Sequence, residues 1–151
     1  MKTTEKRLPK HWLMKSEPAA FGIDDLARAP RRTAAWDGVR NYQVRNMLRD
    51  DFRRGDRAFF HHSSCAEPGI YGTMRIVRAG SPEPADSRWY QVEVQLLRRF
   101  ARPVLLETMR KHADGPLRDL FVLRRGNRLS ITPVTDDEWN FIHQLAGERT
   151  E

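Results

Sequence analysis

The sequence predicts an α+β domain built on a curled sheet or small barrel, and three observations carry that expectation. Residues 89–98 alternate Tyr90, Val92, Val94 and Leu96 with Gln91, Glu93 and Gln95, the period of two of a half-buried strand. Several other short apolar runs are cut off by Pro or Gly before they reach helical length. Helical signals stand between and after these runs, so strands and helices share one chain without the strict βαβ alternation of a parallel sheet.

Taken in order, residues 11–15 read as a first strand stopped by Pro18, which cannot donate to a ladder. Residues 23–29 read as a short helical turn, capped near Asp24 and ended at Pro30. Trp36-Asp-Gly38 reads as a turn, and Asn41 as the N-cap of a helix over residues 42–51, with Val44, Met47 and Leu48 on one face and Arg45 and Arg49 on another. Gly55-Asp56 turns into a strand over residues 57–62, and residues 70–79 give another. Residues 105–112 and 116–120 read as helical segments separated by Gly115-Pro116, and residues 129–134 as a last strand. Thr135-Asp-Asp-Glu138 is a capping box, and the helix it starts turns Trp139, Ile142 and Leu145 toward the core. Trp12, Met47, Leu48 and Phe52 are expected in the core.

At 151 residues the chain is expected to form one domain over residues 11–147, with a disordered, polar lead-in over residues 1–10. No apolar run reaches the about 20 residues of a membrane span, so no membrane partner is expected. The single cysteine, Cys65, excludes an internal disulfide framework and suggests a reducing, cytoplasmic setting. The 27 basic residues exceed the 20 acidic ones, and 22 of the 27 are arginine, which favours polyanionic partners through counterion release and bidentate phosphate contacts. A GC-rich genome also raises arginine content, so the clusters Arg28/Arg31/Arg32, Arg40/Arg45/Arg49, Arg53/Arg54/Arg57 and Arg98/Arg99/Arg102 weigh more than the total.

Four segments carry the chemistry: Trp12-Leu-Met-Lys-Ser-Glu-Pro18, Trp36-Asp-Gly-Val-Arg-Asn41, Phe60-His-His-Ser63 leading to Pro68-Gly-Ile-Tyr-Gly72, and Arg124-Arg-Gly-Asn-Arg-Leu-Ser-Ile-Thr-Pro133. In this order and spacing, over about residues 11–145, they resemble the EVE domain family, a branch of the PUA-like fold related to the YTH readers of methylated adenine. The resemblance implies a PUA-like mixed β-barrel of five to six strands with flanking helices. It also implies a pocket wall at Trp36, because a tryptophan at the corresponding turn of YTH readers helps to form an aromatic cage. Family members usually carry a longer stretch rich in Asp, Pro and Tyr between the third and fourth motifs; here only residues 79–87 stand there.

A flat ring is gripped by a π-face and by polar groups at its edge. Trp36 supplies the face, and Ser16, Asn41, His62 and Ser130 are the candidates for the edge. Ser16 has an alternative as a turn cap, Asn41 as a helix cap, and Trp36 as a rim residue packed on the barrel. Lys15, Arg40, Arg45, Arg125 and Arg128 are the candidates for phosphate. His62, Cys65 and His112 lack metal-ligand spacing, so no metal is expected. There is no phosphate loop, dinucleotide fingerprint or nucleophile elbow, so neither cofactor nor catalysis is expected. The resulting expectation is a monomeric nucleic-acid-binding module that recognises a modified base, in the family modified cytosine in DNA. The alternatives are an RNA- or tRNA-binding module, a nucleotide-modifying enzyme using Glu17, Asp37 or His62, and a protein adaptor.

Overall fold

The computed structural model describes residues 7–150. Strand β1 (His11–Ser16) ends at α1 (Pro18–Phe21), where Pro18 occupies the first helical turn and needs no N–H partner. In α2 (Ile23–Arg28) the Gly22 N–H donates to the Asp25 carboxylate at 2.7 Å, and Ala29, which precedes a proline, turns extended and ends the helix. A 3₁₀ turn over Pro30–Arg32 then places Arg31 and Arg32 in the left-handed region at φ 55° and 52°. For side chains with a Cβ this conformation costs roughly 1–2 kcal/mol per residue. Strand β2 (Thr33–Trp36), helix α3 (Tyr42–Asp50) and strands β3 (Arg57–His62), β4 (Gly69–Pro82) and β5 (Tyr90–Leu105) follow. Helix α4 (Leu106–Arg110), strand β6 (Ile131–Val134) and helix α5 (Asp136–Ala146) complete the chain.

The six strands form one mixed sheet in the order β2-β5-β4-β3-β1-β6. Strands β1 and β3 pair in parallel, and every other neighbouring pair is antiparallel. The parallel pair needs a long crossover, which residues 17–56 with α1 to α3 provide. The central strands are buried on both faces. Trp12, Met14, Ala58 and Phe60 point to a core closed by α2 and α3, while Leu13 and Phe59 point to a second core containing Met109, Trp139 and Ile142. Double burial explains why Trp12-Leu13-Met14 and Ala58-Phe59-Phe60 are unbroken apolar runs. Each fully buried large side chain contributes roughly 1.5–3 kcal/mol.

The expected mixed PUA-like sheet with flanking helices is present, but it does not close into a barrel: β2 and β6 remain its two edges. Register shifts along β4 and β5 bend the long hairpin. At one of them a Cβ on Gly72 would collide with the Arg98 carbonyl, so only glycine lets the strands approach. The bend brings Trp36, at the end of β2, and Ser130, just before β6, to one cavity.

Some expectations need correction. Strand β5 runs on to Leu105, because the bulges absorb the break in alternation at Leu97-Arg98-Arg99. Residues 116–120 form turns, not a helix, and bury Leu117 and Leu120 beneath a 3₁₀ turn at Phe121–Leu123. Trp36 belongs to β2, a strand too short and alanine-rich to show a period. Two of the anticipated caps are formed as read, since Asn41 Oδ1 accepts from the Val44 N–H at 3.0 Å and Thr135 and Glu138 make the reciprocal box.

Of the expected lead-in, residues 1–6 lie outside the described residues, while Arg7 and Lys10 are tied to Asp56. This carboxylate is fully buried. It accepts from both Arg7 guanidinium nitrogens at 2.8 and 3.0 Å, the Lys10 N–H at 3.0 Å, Trp12 Nε1 at 3.1 Å and the Arg53 N–H at 2.9 Å. Burial alone would raise its pKa, but the hydrogen bonds from Arg7, Lys10, Trp12 and Arg53 outweigh burial and hold it below the usual carboxylate range.

Candidate nucleic-acid interface

A cavity of about 440 Å³ opens between the two sheet edges. Its walls come from the end of β1 (Lys15, Ser16), from α1 (Ala20, Phe21), from the end of β2 and the loop after it (Ala35 to Arg40), and from Ser130. Trp36 is 7% exposed and forms the inner wall, edge-on to Phe60 at 5.3 Å between ring centroids. Phe21 stands at 90° to the indole with centroids 6.4 Å apart. The two aromatics therefore make a corner, and a planar ring stacked on one of them presents its edge to the other.

Polar groups sit around this corner. Ser16 Oγ donates to the Phe21 carbonyl at 2.7 Å, which fixes the short helix α1 and leaves the hydroxyl lone pairs to accept. The Ser130 carbonyl accepts from the Lys15 N–H at 2.7 Å, tying the segment before β6 to β1. Lys15 is half-buried, and burial lowers its pKa. His61 lies beside Lys15 in the β1–β3 register; burial pushes it down to about 3, so it adds no charge at neutral pH. Asp37 is exposed at the mouth.

The loop after Trp36 is held by Glu83, a residue that carries no sequence signal beyond the flanking Pro82 and Pro84. Its carboxylate, 8% exposed, accepts from Arg40 in two parallel bonds of 2.8 and 2.9 Å and from the Gly38 N–H at 3.1 Å. The Arg40 bonds hold the Glu83 pKa below the ordinary range. Gly38, at φ 79°, permits the turn that aims its N–H at this carboxylate. Arg40 also lies 5.0 Å over the Trp89 ring. The short 79–87 segment thus supplies the strut of the cavity wall. Glu83→Ala is expected to accelerate hydrogen exchange at the Gly38 amide at least about tenfold while core amides of β3 stay protected, as read by NMR. Unchanged Gly38 exchange would remove the strut role.

The structure gathers Lys15, Ser16, Trp36, Arg40 and Ser130 at the cavity and leaves the other candidates elsewhere. His62, expected at the pocket, does not line this cavity. Its ring stacks on Tyr71 at 4.1 Å and its Nε2 accepts from the Ile23 N–H at 3.1 Å, on the same strand face as Phe60 but beyond the cavity. Asn41 serves as the helix cap and does not line the cavity. Arg40, read as a phosphate ligand, is instead paired with Glu83. Arg45 bonds Asn46 Oδ1 and the Arg88 carbonyl and covers the Tyr42 ring, away from the cavity wall. Arg125 and Arg128 are exposed in the loop that leads to Ser130. Phe21 was missed because a lone aromatic after Pro-Ala-Ala has no periodic partner.

Known proteins place this architecture. Mouse thymocyte nuclear protein 1 is 39% identical over 177 residues, covering 97% of this chain and 76% of the relative, and the human protein is 38% identical over 171 residues. Both matched spans exceed the 151 residues of this chain, so these relatives carry insertions that it lacks. The human THYN1 protein solved in complex with 5-methylcytosine containing DNA superposes with a TM-score of 0.84 at 36% identity, covering 93% of this chain and 99% of that one. A Pseudomonas putida protein superposes at 0.82 with 39% identity, covering 90% and 99%. The cytoplasmic placement read from Cys65 is overturned by these relatives, whose name is that of a nuclear protein. A free thiol marks a reducing compartment, and cytoplasm and nucleus are alike in that respect. With the EVE domain matching residues 10–145, the chain belongs to the EVE domain family.

Proposed function

We propose that this domain binds DNA and takes one modified base, a modified cytosine first among them, into the cavity between Trp36 and Phe21. The observation that carries the reading is the perpendicular aromatic corner at the inner end of an open cavity, whose size falls within the about 300–1,000 Å³ of small-ligand sites. An extruded base stacks on one ring and abuts the other. Around it, Asp37 and the Ser16 lone pairs accept from an exocyclic amino group, and Lys15 donates to a ring carbonyl, a pattern that suits cytosine. Arg125 and Arg128, exposed beside Ser130, neutralise flanking phosphates. The human relative solved with 5-methylcytosine DNA supports the same ligand class. The role is binding without turnover.

A panel of oligonucleotides that differ only at one cytosine tests this. Burial of one methyl group is worth about 0.8 kcal/mol, so 5-methylcytosine should bind about fourfold tighter than cytosine, and a bonded polar substituent should widen that ratio. Equal affinity across the panel would refute base reading. A matched RNA panel that binds more tightly than DNA would reassign the ligand.

A further inference from the structure

A second basic surface lies outside the cavity. On β2, Thr33 and Ala35 share one face, and Ala35, exposed, also lines the cavity. Across the pleat Thr33 pairs with Gln95 and Ala35 with Glu93, while Arg75 pairs with Gln95 and Arg78 with Glu93 on the next strand. This face lies opposite the buried Val92, Val94 and Ile76, so it is the outer surface of the sheet. Just before β2 stand Arg31 and Arg32, exposed and, among the described residues, without an ion-pair partner. Four guanidiniums here meet one carboxylate, Glu93, which Arg78 contacts at 3.2 Å.

The left-handed turn that presents Arg31 and Arg32 is held by dedicated contacts. The Arg31 carbonyl accepts from Thr33 Oγ1 at 2.9 Å and from Gln95 Nε2 at 3.3 Å, and Gln95 Oε1 accepts in turn from Arg75 at 2.7 Å. Unfavourable backbone angles that neighbouring side chains enforce point to function more than to folding. Arg32 lies four residues from Trp36, about 13 Å at the usual strand rise, close enough to meet the backbone that flanks a base held at Trp36. Only small side chains lie between.

We infer that the Arg31–Arg32 turn, with Arg75 and Arg78 behind it, is a second phosphate-binding surface that holds the DNA backbone on one side of the extruded base. It rests on the DNA-reading function above and adds a direction to it. The site takes phosphodiester, not bases, so it contributes affinity and polarity without base preference.

The test pairs Arg31→Asn/Arg32→Asn, since Asn tolerates left-handed angles without the charge, with Arg31→Lys/Arg32→Lys, which keeps the charge. Binding is measured against salt, using duplexes with one 5-methylcytosine and flanks extended on one side or the other. The Asn pair should lower the slope of log K against log salt by about 1.8, the value for two lost phosphate contacts, and erase the gain from extending one flank only. The ratio of modified to unmodified affinity should stay within about twofold, and the Lys pair should keep the parent slope. An unchanged slope, or equal responses to both flanks, in a parent that still discriminates the modified base overturns this surface alone. A parent with no base preference whose slope still falls in the Asn pair overturns base reading and leaves this surface standing. No DNA binding by the parent overturns both.

Discussion

Trp36→Ala is expected to erase the preference for a modified base and to leave most salt-dependent DNA binding in place. Base stacking on an aromatic is worth about 1–3 kcal/mol, so its loss removes roughly five- to 150-fold from the modified-base complex. The phosphate contacts proposed above lie elsewhere, in the loop before Ser130 and on the outer face of β2, and are expected to act on modified and unmodified strands alike. The substitution has a second effect, because Trp36 also packs edge-on against Phe60 and Phe21. Truncating a buried tryptophan costs about 3–5 kcal/mol, a large share of the about 5–15 kcal/mol that stabilises a domain. Trp36→Phe is therefore the companion variant: it keeps the packing and a smaller π-face, and should retain part of the preference. A titration with modified and unmodified duplexes, alongside a thermal melt, reads both effects. Undiminished preference in a folded Trp36→Ala protein would remove the indole from recognition.

Asp56→Ala is expected to destabilise the domain by about 1–3 kcal/mol for each buried donor left unpaired, Trp12 Nε1 first among them. Five donors lose one acceptor: both Arg7 nitrogens, the Lys10 and Arg53 amides and Trp12 Nε1. Trp12 is stacked on Phe52 at 4.3 Å, so the loss propagates into the core under α3. The effect has a definite pH sign. The folded carboxyl titrates below its unfolded value of about 3.9, so its stabilisation is fully present above that value and fades as pH falls through the lower, folded one. As pH falls below about 4 the gap in denaturant midpoint between parent and variant should narrow, and it should close once the folded carboxyl has taken up its proton. A gap that persists or widens on acidification would show that the carboxylate charge is not the source.

The sequence was most readable where one physical signal dominated. The alternation of β5, the Asn41 cap and the Thr135–Glu138 box each reflect a local rule, and each is present in the structure. The lining of the cavity was half readable. Trp36, Lys15, Ser16, Arg40 and Ser130 sit in dense motifs, whereas Phe21 and Glu83 reach the site only through tertiary folding. Glu83 arrives from a β4–β5 connection whose partner, Arg40, lies 43 residues earlier, and no periodicity links such a pair. His62 faces the same side as Phe60, as alternation predicts, but tertiary folding brings Tyr71 and the Ile23 amide to its ring, and sequence shows neither contact. Arg40 looked like a free cation because sequence reveals charge but not the counter-charge that folding brings to it.

The unclosed order of the strands has a mechanical consequence. Because β2 and β6 share no ladder, the mouth between them can widen or narrow by flexing of the long β4–β5 hairpin, with every interstrand pairing kept. A closed ring would have to shear its register to do the same. The aperture is thus a slot between two unjoined edges, and under the proposed function substitutions at its rim retune which base enters while the rest of the sheet stays as it is.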